Sequence, residues 1–216
     1  MTYSMPMDMN PKIEEIVRTS ALLSKLKHSD KSFGKKIKSE YLKDTSDEEK
    51  ALLFIFYNWF LAKHDESINQ YNNESSFAVM NDISAVIDII LDKNPNDWLV
   101  RILKNKMLSL SYENEMNIIE DLKELITIQN KDKFSKSYGI IPLLMLSENY
   151  YSLADKEMAK YYLEKISLDS ENKIKVIPDF FKSFIQEYRN KLGISREGDM
   201  VKKVKEIEKV YFLKGA

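Results

Sequence analysis

Along most of this chain the apolar residues recur at three- and four-residue spacing, the period of helices that bury one face. Ile13, Ile16, Val17, Leu22, Leu23 and Leu26 predict a helix with Pro11 in its first turn and its end near His28. The next stretch, SDKSFGKKIKSEYLKDTSDEEK, is polar and lysine-rich with Gly34 inside it, and reads mostly as a connector with room for a short helix. Ser46 then precedes Glu49 at capping-box spacing, just before the run ALLFIFYNWFLA, so a helix is expected from about Asp47 to Lys63. HDESINQYNNESS interrupts it. Phe77, Met80, Ile83, Val86, Ile87 and Ile90 restore a broad apolar face, and Pro95 closes that helix.

The same rhythm continues to the end. Leu99, Ile102, Leu103 and Leu110 form a stripe from Asp97 onward, the turn-like SYENE follows, and Ile118, Ile119, Leu122, Leu125 and Ile126 mark its partner helix. A third pair is expected between Ser137 and Leu168. A fourth opens at Pro178, stops at Gly193 in the left-handed conformation, and resumes behind an Asp199 cap with Met200, Val201, Val204, Ile207 and Val210. The expected organisation is therefore an all-α chain: residues 1–45 as an N-terminal helix and basic connector, and 46–216 as about four antiparallel helical hairpins. Hairpins repeating about every 40 residues fit a stacked solenoid, with a four-helix bundle carrying extra helices as the alternative.

Residues 149–169, NYYSLADKEMAKYYLEKISLD, hold two tyrosine pairs, Tyr150-Tyr151 and Tyr161-Tyr162. On one continuous helix the pairs would share a face, since their offset of eleven residues is close to three turns. Ala154-Asp155 instead marks a turn, with Asp155 able to cap a second helix from Lys156. On that reading Tyr150 and Tyr162 pack the two arms of a hairpin, and Tyr151 is left either for a partner or for packing between neighbouring hairpins.

Residues 140–172, IIPLLMLSENYYSLADKEMAKYYLEKISLDSEN, resemble a tetratricopeptide repeat without a gap. Leu146-Ser147 match its leucine and small residue, Tyr150 its helix-ending tyrosine, Ala154-Asp155 its Gly-Asp turn, Ala159 its second small residue, Leu163 its aromatic position and Leu168-Asp169 its closing pair. Leu143, Ala154, Ile166 and Glu171 depart from the usual tryptophan, glycine, alanine and proline. KNPND at 93–97 resembles the family's repeat-ending turn, while the spacing near 40 is closer to HEAT-type repeats than to the ~34 of this family. The resemblance implies a short right-handed solenoid whose first helices line a concave groove for an extended peptide or a partner's helix. Carried over by register, it points Leu144, Glu148, Tyr151 and Ser152 at that groove, with Val100 and Lys104 from the preceding unit and Glu187, Asn190 and Lys191 from the following one. The lysine and asparagine pattern that clamps a carboxylate terminus in some family members is not reproduced.

Composition narrows the function. Glycine and proline number five each, which suits helices better than a turn-rich sandwich. With 33 basic and 34 acidic residues the net charge is -1, which argues against nucleic acid or an anionic membrane as the main partner. Residues 1–45 nonetheless carry nine basic and six acidic residues, and 46–97 three and ten. There is no cysteine, hence no disulfide, thiolate metal site or cysteine nucleophile. MTYSMPMDMNPKIEE lacks the features of a signal peptide, and the run at 51–62 falls short of the ~20 residues of a membrane span, so a cytoplasmic protein is expected.

Recognisable chemistry is sparse. His28 and His64 are expected at helix C-termini, where a cationic imidazole favours the dipole, and neither has a ligand partner four residues on. No phosphate loop, dinucleotide fingerprint or nucleophile elbow occurs. Asp82 with Asp88, and Glu120 with Glu124, are ordinary spacings in a chain that is 31% charged and make no metal case without histidines. No catalytic residue, metal or cofactor is therefore assigned. The leading expectation is a non-catalytic adaptor or chaperone-like module that binds a protein or peptide. The alternatives are a regulator that contacts nucleic acid or another acidic partner through Lys25 to Lys43, and a helical enzyme without a recognisable motif. Homodimerisation is open if Phe54, Phe56, Trp59 and Phe60 are left uncovered.

Overall fold

The structure is a computed structural model that describes residues 31–64, 76–109, 115–131, 139–168 and 179–211. Among them the chain is all-helical, without a strand: α1 (Lys31–Lys43), α2 (Glu48–His64), α3 (Ser76–Lys93), α4 (Trp98–Leu108), α5 (Glu115–Lys131), α6 (Ile140–Ser152), α7 (Lys156–Glu164), α8 (Asp179–Ile194) and α9 (Gly198–Tyr211). The helix expected over residues 11–28 lies outside the described residues. The chain divides into two compact units, one over residues 12–104 and one built on residues 105–216.

In the first unit α2 packs against both α1 and α3. Its sequence is apolar on nearly every side, and Ala51, Leu52, Phe54, Ile55, Phe56, Tyr57 and Trp59 are all buried, as befits a helix enclosed by neighbours. The aromatic patch that would have served self-association if exposed is thus covered at Phe54, Phe56 and Trp59. The stretch expected to act mostly as a connector is a 13-residue helix, α1. Ile37 and Tyr41 give it a buried stripe, and the Tyr41 ring lies 5.0 Å from that of Phe54. Lysines of α1 are also drawn into pairs: Lys36 with Glu40, and Lys38 with Asp82 of α3 at 4.0 Å.

Two turns in this unit share one construction. Asp44-Thr45-Ser46-Asp47 and Asn94-Pro95-Asn96-Asp97 each place an Asp last, and that Asp caps the next helix. Asp47 Oδ1 accepts from the Lys50 amide at 3.2 Å, and Asp97 Oδ1 from the Val100 amide at 3.0 Å. The capping box expected from Ser46 does not form, because Ser46 donates its own amide and hydroxyl to Asp44 at 3.1 and 2.6 Å. Those bonds from Ser46 hold the Asp44 carboxyl below its ordinary range, and bonds to Lys50 do the same for Asp47.

In the second unit α5 packs on α6, α6 pairs with α7, and α8 pairs with α9; α8 then lies against α6 and α9 against α7. Gly139 and Pro142 explain where α6 begins, since a proline in the first turn forfeits no helical hydrogen bond. The turn at 153–155 settles the tyrosine question in favour of a hairpin. Asp155 accepts from the Met158 amide at 3.0 Å, and the Tyr150 and Tyr162 rings stack across the two arms with centroids 5.5 Å apart. Ser147 and Ala159 are both 0% exposed, and the Ser147 hydroxyl donates to the Ala159 carbonyl at 2.6 Å, so small side chains let α6 and α7 approach closely.

The α6–α7 and α8–α9 turns are also built alike. The amides of Ala154 and Asp155 reach back to the carbonyls of Tyr151 and Tyr150, and those of Arg196 and Glu197 to the carbonyls of Gly193 and Leu192. This is the double-bonded helix ending that needs a left-handed residue, and Ala154 (φ 61°) and Arg196 (φ 60°) supply it. The expectation for Gly193 and Asp199 is corrected here. Gly193 sits inside α8 without a positive φ, and Asp199 lies in the first turn of α9.

Candidate partner-binding site

The face shared by α6 and α8 gathers most of the residues expected to meet a partner. Its foundation is Tyr188 of α8, 1% exposed, whose hydroxyl lies 2.7 Å from the Ser147 hydroxyl of α6. Burial raises the Tyr188 phenol far above its ordinary value, against the lowering effect of the Ser147 bond, so it stays a neutral anchor. The Tyr151 ring meets Tyr188 edge-on at 6.2 Å. Tyr151 is half-buried, so it both packs between the hairpins and shows an edge to solvent.

One turn earlier on α6, Glu148 faces Glu187 of α8, and a buried lysine holds both. Lys106, in the last turn of α4, lies 3.0 Å from Glu148 Oε2 and 3.2 Å from Glu187 Oε2, with its side chain 1% exposed. Its ammonium also stands 5.0 Å from the centroid of the Phe184 ring. Burial works against the charge on Lys106, but the Coulombic pull of Glu148 and then Glu187, with hydrogen bonds to both, overrides it and leaves the pKa raised. The two glutamates keep solvent contact, with side chains 15% and 37% exposed.

A second bridge closes the far end of this face. The Lys191 ammonium of α8 donates to Ser152 Oγ at 2.5 Å, and that hydroxyl donates to the Glu148 carbonyl at 3.0 Å. Beside it Lys156 joins the two hairpin turns through Glu197 at 2.6 Å. The structure therefore brings Glu148, Tyr151, Ser152, Glu187 and Lys191 together, with Asn190 exposed on the same helix as Glu187 and Lys191. The array offers acceptors, donors and an aromatic edge along two adjacent helices.

Three expected residues stand apart. Leu144, 5% exposed, belongs to the core beneath α6, and Val100 is fully buried, because each falls on the apolar stripe of its own helix. Lys104 lies in the other unit and pairs with Asp88 of α3 at 2.9 Å. Sequence reasoning missed Lys106, Phe184 and Tyr188. A signal for Lys106 was present in WLVRILKNKML, where it continues the line of Leu99, Ile102 and Leu103 and so puts a charge on a buried stripe.

Among the described residues no group of three His, Asp or Glu side chains could hold a metal ion, and no helix is long and apolar enough to cross a membrane. His64 ends α2, while His28 lies outside the described residues. No family model matches this chain, and no curated protein or solved structure is significantly similar to it.

Proposed function

We propose that the unit built on residues 105–216 is a non-catalytic, tetratricopeptide-like interaction module, in which the α6–α8 face receives an extended peptide or a helix of a partner protein. The observation that carries this reading is the stacking of like on like. α8 lies on α6 and α9 on α7, and the two hairpins are joined side by side by Ser147 with Tyr188, Ser152 with Lys191 and Lys156 with Glu197, while Glu148 and Glu187 share Lys106. Repetition of one hairpin aligns equivalent positions of the first helices along a common face, and the resemblance of residues 140–172 to a single repeat agrees with that register. Fixed polar groups and a half-buried tyrosine edge suit recognition of a peptide backbone with few side-chain pockets. An adaptor or chaperone-like role follows from such a face.

The test compares two tyrosines of the same unit. Tyr151→Ala and Tyr161→Ala chains are purified from the native cell beside the unaltered chain, after thermal unfolding confirms that both variants fold. A protein that co-purifies with the unaltered chain and with Tyr161→Ala, and is lost from Tyr151→Ala, supports the reading. Retention of every partner by Tyr151→Ala removes the α6–α8 face from consideration.

A further inference from the structure

We draw no further inference here: the strongest candidate, the row of Lys123, Tyr150, Tyr162, Tyr161 and Lys165 across α5, α6 and α7, leaves Tyr161 46% exposed, but its rings already lie against one another or against these lysines and nothing in the structure shows what covers it.

Discussion

The ammonium of Lys106 lies 3.0 Å from a carboxylate oxygen of Glu148 while its side chain is 1% exposed, so the lysine is the buried member of a pair whose acid still touches water. That asymmetry fixes which partner is costly to lose. Glu148→Gln with Glu187→Gln leaves a buried charge without a counter-charge and should cost about 3–5 kcal/mol. Lys106→Met leaves two carboxylates that solvent can reach, and should cost about 1 kcal/mol or less. Urea unfolding of the two variants measures the order, and a larger loss from Lys106→Met would overturn it.

The same lysine predicts a response to alkali. Its pKa is raised above the ordinary 10.5 once folded, so its stabilisation is complete below that pH and fades as pH rises through the folded value. The unaltered chain should therefore lose stability relative to Lys106→Met above pH 10.5, and the gap between them should stay constant from neutrality to about pH 9. Buried tyrosines such as Tyr188 also titrate in alkali, but they are common to both chains and leave the difference intact. Melting curves that run parallel through the alkaline range would show that Lys106 carries no such linkage.

Left-handed residues at the two matched turns give a prediction of opposite sign. Ala154 and Arg196 hold φ near 61° and 60°, where a Cβ is unfavourable and glycine is not. Ala154→Gly and Arg196→Gly should each stabilise the chain by about 0.5–1 kcal/mol, the relief of strain outweighing the added freedom of the unfolded chain. Thermal unfolding of the single and paired variants checks this. A fall in melting temperature for either would mean that its side chain makes up for the strain.

Most helices were legible because burial on one face writes a period into the sequence, and α2 because a long apolar run follows an acidic start; the bounds of α2, α3, α8 and α9 fall within a few residues of those expected. The hairpin at 140–164 was legible for a further reason, a turn and a cap in adjacent residues. Misjudged details were those in which neighbouring polar groups compete. Asp44 captured Ser46 and left the cap to Asp47, and Arg196 took the left-handed position for which Gly193 is chemically better suited. α1 was obscured because lysines dominate its sequence, although Ile37 and Tyr41 lie on its buried side. At the site, Glu148, Ser152, Glu187 and Lys191 lie near one another across α6 and α8, as their register along the two helices suggests. Lys106 was visible as a charge on the apolar stripe of α4, but its acidic partners on α6 and α8 have no local signature.

The competition at 44–47 can be measured directly. If Asp47 is the cap of α2, Asp47→Ala should cost about 1 kcal/mol, the usual loss when a capping carboxylate is removed. Ser46→Ala should cost only a few tenths, because the serine bonds an exposed Asp44 and no helix amide depends on it. Asp97→Ala should be the most damaging of the three, approaching 2 kcal/mol, since Asp97 is 4% exposed and the Val100 amide it serves would be left buried without an acceptor. Chemical denaturation of the three single variants gives the order. A Ser46→Ala loss as large as that of Asp47→Ala would return the cap to the serine.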